Sequence, residues 1–369
     1  MKFQFHLPTA VHFGKNCVIG SSSEFSELGA KAFLVTGRHS ARVSGALDSV
    51  EEAFRHEGIE WTQFDRVENN PSLKTVQEAA ASARKSGAEF IVGIGGGSAI
   101  DAAKAVAVLA AGDIAPEDLF RNRFDKVLPI VAVPTTSGTG SEVTPYSVLL
   151  CPEKETKLSF GTEKTFPHIA CLNPAYTYSL DRKNTVNTAV DAFTHLLESY
   201  CSKRNTPLSA CLALEGLASF GRCLPALLGD SVAERERELL MYASLLGGAV
   251  IAQTGVTIAH GMGYCYTCFH GIPHGKANGL LMKPYVEYVA RLCPEKIRKV
   301  LSTLRLKSAE ELTEAIAGLV GKPPVLSPET IKKYTELTLL QKGSIANTAG
   351  NMGPEEIRAL WEATQKEAV

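Results

Sequence analysis

The stretch EFIVGIGGGSAIDAAKAVAVLAA, residues 89–111, constrains the fold more than any other in the chain. A short, unbroken apolar run enters three consecutive glycines and leaves as an alanine-rich helical pattern. An apolar run without alternation is a strand buried on both faces, which requires parallel neighbours joined by crossover helices. The flanking sequence supplies them. KAFLVTG (31–37), IEWTQFD (59–65) and VLPIVAVPTT (127–136) read as further strands. SGALDSVEEAFRHEG (44–58) and SLKTVQEAAASARKSG (72–87) read as helices that stop at glycine. The first half is therefore expected to be an α/β unit built on a parallel sheet, with ligands at the carboxyl ends of its strands.

Two loops fall at those ends. GIGGGSAID (93–101) comes close to the dinucleotide fingerprint and misses it, because the sixth position is Ser98 and not Gly or Ala. Glycines still let a phosphate approach the backbone, and the helix that follows offers free N–H groups and a positive dipole end. The competing reading is a plain strand-to-helix turn in which Ser98 is only the cap. PTTSGTGSEVT (134–144) adds Thr135, Thr136, Ser137, Thr139 and Ser141, hydroxyls suited to phosphate and ribose oxygens. Alone it would pass for a solvated loop. Two such loops at one sheet edge favour a nucleotide.

Beyond about residue 181 the β-branched runs give way to long Ala/Leu-rich helical patterns, from TVNTAVDAFTHLLESYCS to PEEIRALWEATQKEA. The expected division is a dinucleotide-binding α/β domain over 1–181 and an all-α metal-binding domain over 182–369, with a site in the cleft between them. Leu239 to Ala259 carries no charge over 21 residues. It contains Ser244, Gln253, Thr254, Thr257 and three glycines, so it reads as one buried central helix and not as a membrane span. The N-terminal MKFQFHLPTAVHFG lacks the apolar core of a signal peptide, and its alternation reads as strands. Net charge is −1 across 369 residues, which argues against a nucleic-acid or anionic-membrane partner. Nine scattered cysteines, an odd number, argue for a reducing compartment such as the cytoplasm.

The helical half holds unusual chemistry. Asp191 and His195 stand four apart, on one helix face, in the largely apolar AVDAFTHLLESY. An isolated pair of this kind is commonly a local hydrogen bond. Downstream, AHGMGYCYTCFHGIPHGKANG brings His260, His270 and His274 into a segment with almost no charge. A divalent cation is the simplest way to make one carboxylate and several imidazoles compatible with burial. One Asp and three His leave a coordination position open, which favours catalysis. Cys265 and Cys268 form a single CxxC with no second pair and read as packed cysteines.

Together GGGSAIDAAKAVA, PTTSGTGSEVTPYSVL, VDAFTHLLESY and AHGMGYCYTCFHGIPHGKANGLLMKP resemble the iron-dependent (group III) alcohol dehydrogenases over essentially the whole chain. The resemblance implies Asp191, His195, His260 and His274 as metal ligands, with Fe²⁺ as the ion and Zn²⁺ as its alternative. It places Gly96, Gly97, Ser98 and Asp101 along the pyrophosphate, and Thr135, Thr136 and Thr139 on the phosphate and ribose side. Asn70, Lys157 and Leu180 are further cofactor contacts by the same resemblance, which also implies a homodimer; a strand such as KFQFHL is a candidate pairing edge. Two positions depart from the family. Many members carry an aspartate where this chain has Gly37, followed by Arg38 and His39. Glycine leaves room and Arg38 can pair with a 2′-phosphate, so NADP(H) is expected over NAD(H). Several relatives have a histidine four positions after the third ligand, where this chain has Tyr264; the proton relay then falls to His270, Tyr264 or water.

The implied reaction is reversible hydride transfer between NADP(H) and a small primary alcohol or aldehyde. Apolar Ile251, Met262, Phe269 and Ile272 favour aliphatic substrates. The related fold of dehydroquinate synthases offers an NAD-dependent lyase as the alternative. Its phosphorylated substrate needs a cationic pocket, and Leu239 to Gly275 contains no Lys or Arg. A non-catalytic nucleotide-binding protein is the remaining class, against which four intact candidate ligands speak.

Overall fold

A computed structural model describes residues 2–151 and 156–368. The chain divides into two compact units, Leu7–Leu180 and Met1–His6 with Asp181–Val369.

The first unit is an α/β sandwich. Its strands are β1 (Ala10–Phe13), β2 (Lys31–Thr36), β3 (Glu60–Phe64), β4 (Phe90–Gly95), β5 (Ile130–Pro134), β6 (Ser147–Cys151), β7 (Thr156–Phe160) and β8 (Ile169–Leu172). Six form one sheet in the order β1-β8-β5-β4-β2-β3, every pairing parallel; β6 and β7 form a separate antiparallel hairpin. The parallel sheet expected from the unbroken apolar runs is present. Strands β4 and β5 are buried throughout. Alternation sends Phe33, Val35 and Ile91 into one buried cluster with the helices Leu73–Ser86 and Gly97–Ala111. Leu34, Val92 and Val133 enter another with Ala46–Glu57. The chain leaves β2 toward β3 and leaves β4 toward β5, in opposite directions. The carboxyl ends of β2 and β4 therefore flank a topological switch point, where doubly wound sheets bind ligands.

Of the strands expected in the N-terminal stretch 1–14, one is present, β1. Among the described residues no ladder precedes Ala10. The peptide group of His6 is held instead by a side chain: His6 N–H donates to Gln253 Oε1 at 2.9 Å, and Gln253 Nε2 donates to the His6 carbonyl at 2.8 Å.

The second unit is helical from Arg182–Cys201 to Pro354–Ala368, around one apolar core that includes Phe193, Phe220, Tyr266 and Trp361. The uncharged run expected to be one central helix is two. Glu234–Thr254 ends where Gly255 adopts φ +65°, and Ile258–His270 starts again at an angle of 112°. A single straight span is excluded by that corner. The helix Pro207–Leu228 is also long and apolar enough to cross a membrane. One of its faces (Ala213, Leu217, Phe220) lies in the core, and the other carries the Glu215–Arg222 ion pair at 3.5 Å.

Candidate active site

In the helical unit, Asp181 caps Arg182–Cys201 by accepting from Asn184 N–H at 2.7 Å. That helix then presents Asp191, His195 and Glu198 on one face, at i, i+4 and i+7. The corner after Gly255 brings His260 to this face. His260 therefore lies in the first turn of a new helix, and not at the end of the preceding one. One ligand atom from each of Asp191, His195 and His260 lies within 4.8 Å of the other two. The rings of His195 and His260 stack with centroids 4.6 Å apart. Asp191 Oδ1 is 3.7 Å from His260 Nε2 and 3.8 Å from His274 Nε2.

His274 does not sit on a turn, as the Pro273 and Gly275 on either side of it suggested. It opens the helix His274–Gly279. That helix lies against Arg182–Cys201 because residue 275 has no side chain. A Cβ there would stand 2.9 Å from Asp191 Cβ and closer still to the carbonyl oxygen of Asn187. One turn on, Asn278 Nδ2 donates to Asp191 Oδ1 at 3.2 Å and steadies the carboxylate.

The cluster's electrostatics fit a cation. Burial by itself would raise the pKa of Asp191, but the imidazoles of His195, His274 and His260 outweigh it and hold the carboxyl well below the usual range. Burial by itself would lower that of His260; Glu198 and Asp191 outweigh it and push His260 up to about 9. His260 Nδ1 bonds Glu198 Oε1, while Nε2 is buried, finds no hydrogen-bond partner among the described residues and faces Asp191 from beyond hydrogen-bond range. Two donors about 2.1 Å from a tetrahedral ion stand roughly 3.4–3.6 Å apart, close to the separations observed. Asp191, His195 and His260 are buried, whereas the His274 side chain is 28% exposed, so the cluster opens on that side.

Sequence reasoning overlooked Glu198, although it lies inside the quoted AVDAFTHLLESY. An acid seven positions past another reads as the start of a solvated face, but this one is fully buried.

The two relay candidates part company. Tyr264 stacks on the His274 ring at 5.8 Å. His270 closes the same helix ten residues beyond His260, about 15 Å along its axis. Its Nε2 lies 2.8 Å from the Tyr334 hydroxyl. The helix carries it away from the ligand cluster.

In the α/β unit the two polar loops interlock. Gly95 continues β4 into the helix capped by Gly96. A Cβ on Gly97 would lie 2.7 Å from Thr139 Cγ2, and one on Gly96 would lie 3.2 Å from Thr136 Cγ2. Thr135 N–H donates to the Gly95 carbonyl at 2.9 Å. Ser98 is held from the side, its Oγ accepting from Asn70 N–H at 3.2 Å, with Asn70 in the left-handed region at φ +58°. Gly37 follows β2, beside the switch point, and Arg38 is exposed.

Asp101 does not offer a free carboxylate to a phosphate. Oδ1 accepts from Ser141 Oγ at 2.5 Å and Oδ2 from Val148 N–H at 3.0 Å. It organises the second loop from below; burial raises its pKa, against the opposing effects of Lys104, of these two hydrogen bonds and of Lys157. Lys104, a residue the sequence reading passed over inside an apolar helix, completes this layer. Its buried Nζ donates to Ser141 Oγ (2.8 Å), the Tyr146 carbonyl (2.7 Å) and Thr144 Oγ1 (3.4 Å). Leu180 ends the unit, its N–H donating to the Thr177 carbonyl.

Comparison with known proteins agrees with this constellation. The family described as iron-containing alcohol dehydrogenase matches residues 8–174, and its C-terminal counterpart matches 185–324. The chain belongs to the iron-containing alcohol dehydrogenase family. A crystal structure of an iron-containing alcohol dehydrogenase from Thermotoga maritima superposes with a TM-score of 0.91 at 37% identity, covering 99% of this chain and 100% of that one. The long-chain primary alcohol dehydrogenase of Thermoanaerobacter ethanolicus is 32% identical, over 84% of this chain and 75% of its own length. An NADPH-dependent butanol dehydrogenase of Clostridium saccharobutylicum is 28% identical, over 96% and 95%. The chain is thus an NAD(P)-dependent alcohol dehydrogenase, and the lyase alternative is not favoured.

Proposed function

We propose that the chain interconverts small primary alcohols and aldehydes with NADP(H), using a divalent ion, Fe²⁺ before Zn²⁺, held by Asp191, His195, His260 and His274. The observation that carries this reading is the buried, unbonded His260 Nε2 facing the Asp191 carboxylate. When bound, the ion supplies Lewis-acid polarisation of the substrate oxygen and the nicotinamide takes or gives the hydride. The chain's residues do the rest. Asp191, steadied by Asn278, contributes the negative charge that a cation requires. Burial keeps water from Asp191, His195 and His260, and the partly exposed His274 side admits substrate. Tyr264, stacked on His274, is placed to pass the hydroxyl proton toward solvent.

Gly96, Gly97 and Ser98 hold the pyrophosphate at the N-terminus of Gly97–Ala111, with Thr135, Thr136 and Thr139 alongside and Asn70, Lys157 and Leu180 at the margins. The interlocked loops support this placement. Gly37 and exposed Arg38 at the carboxyl end of β2 support a 2′-phosphate on the ribose. The cofactor is assigned to the half expected at 1–181 and the metal to that at 182–369, with residues 1–6 and Asp181 grouping with the helical unit. The chain acts as a cytoplasmic homodimer paired near its N-terminus, where Val11 and Phe13 on edge strand β1 are more than one-third exposed.

The test combines elemental analysis with turnover. Native protein should hold about one Fe²⁺ or Zn²⁺ per chain and oxidise butanol with NADP⁺, and His260→Ala should lose ion and turnover together. Full turnover by His260→Ala refutes the site.

A further inference from the structure

Glu198 lies seven residues from Asp191, shares its helix face and is fully buried. Its two oxygens have different partners. Oε1 bonds His260 Nδ1. Oε2 accepts from Thr257 N–H at 2.7 Å and from Thr257 Oγ1 at 2.5 Å. The Tyr285 hydroxyl, itself buried, lies 3.1 Å from Thr257 Oγ1. Thr257 is the residue immediately before the helix that carries His260, and the next backbone donor, Ile258 N–H, is taken by Thr348 Oγ1 at 2.9 Å. One carboxylate thus fixes both the imidazole and the start of its helix.

We propose that Glu198 is the positioning residue of the metal centre. It holds His260 as the Nδ1–H tautomer, so that Nε2 alone faces Asp191, and it strengthens Nε2 as a donor. The inference rests on the metal reading of the cluster. Three features argue for it. A buried carboxylate with no partner would be costly, so its position depends on those it has. An imidazole whose Nδ1–H is given to a carboxylate is both oriented and more basic at the other nitrogen. Finally, Asp191 and Glu198 place two carboxylates on one buried helix face, an excess of negative charge that a dication would offset.

The experiment measures zinc affinity by competition with a chromophoric chelator, together with the visible spectrum of the cobalt-substituted protein. It compares the native chain with Glu198→Gln and Thr257→Val. The second variant removes the hydroxyl leg and leaves the Nδ1–Oε1 bond, with the Thr257 N–H still on Oε2. Glu198→Gln should bind zinc about 10- to 100-fold more weakly and shift the cobalt bands. Thr257→Val should stay within about threefold and keep the native spectrum. A folded Glu198→Gln with native affinity overturns the role of Glu198, as does an equal loss in both variants, which would reduce Glu198 to a helix anchor. If Glu198→Gln does not fold, zinc-loaded native protein labelled with ¹⁵N-histidine decides: coordination through His260 Nδ1 overturns the inference, and coordination through Nε2 with a protonated Nδ1 supports it. A native chain that binds no divalent ion overturns the metal reading itself. Native binding unaltered in a folded Glu198→Gln leaves that reading standing and removes only Glu198.

Discussion

Replacing Gly275 by alanine tests whether the metal ligands depend on how closely two helices approach. The added methyl would lie 2.9 Å from Asp191 Cβ, 3.0 Å from the Asn187 carbonyl carbon and nearer still to its oxygen. Carbon atoms at rest stand about 3.5–4.0 Å apart, so His274–Gly279 must withdraw by at least about 0.6–1 Å to clear the carbons, and further to clear the carbonyl oxygen. Neither obstacle is the end of a flexible side chain, so no rotamer change relieves the clash. Overpacking of this kind costs about 1–3 kcal/mol. The withdrawal carries His274 Nε2 with it, now 3.8 Å from Asp191 Oδ1. Metal sites hold their distances to about 0.2 Å, so the fourth ligand is lost or strained. Zinc affinity should fall at least tenfold, measured by chelator competition, and the melting temperature of the metal-stripped protein should drop. Gly271→Ala is the control. Gly271 has φ +63° and nothing within 4 Å of an added Cβ, so its cost is conformational, on the order of 1 kcal/mol. Zinc affinity should be unchanged there. Native zinc affinity in Gly275→Ala would refute the dependence of His274 on helix contact.

Three other outcomes are expected. The kcat/KM with NADPH should exceed that with NADH, and Arg38→Ala should raise KM for NADPH at least tenfold while leaving NADH nearly unaffected; equal effects on both cofactors would remove Arg38 from the 2′-phosphate. Burial raises Glu142 from 4.5 to about 7, so the folded chain binds a proton that the unfolded chain releases between those values, and stability contributed there falls as pH rises from 4.5 to 7, by on the order of 3 kcal/mol in all. Urea midpoints at pH 5 and 7.5 should show that fall in the native chain and a flatter profile in Glu142→Gln; an unchanged slope in the variant would show that Glu142 does not carry it. Tyr264→Phe should lower kcat and move its pH profile, whereas a profile that moves only with His270→Asn would return the proton relay to His270.

The α/β half was readable because β2, β4 and β5 are local, buried apolar runs, the first two closed by glycine, with helical patterns between them. The metal ligands were readable because imidazoles and a carboxylate are rare in apolar surroundings. Partners fixed only by tertiary contact were not. Nothing apolar marks the corner after Gly255 within Leu239–Ala259, since it is made by a positive φ and by Glu198 capturing Thr257 from another helix. Glu198 and Lys104 were overlooked for the same reason. A charged residue in a helical pattern ordinarily faces water, and burial is visible only once its partners are in place. Asp101 was read as a phosphate contact from its motif, and only the positions of Ser141 and Val148 show both oxygens already engaged.

The grip of Gln253 on the backbone of His6 makes the α/β half an insertion: the residues just before Leu7 belong to the helical half, which the chain leaves for 174 residues and rejoins at Asp181. A fragment excised as 7–180 keeps every strand of its sheet. One begun at residue 181 leaves the Gln253 amide without its clasp, so a single cut cannot release both halves whole.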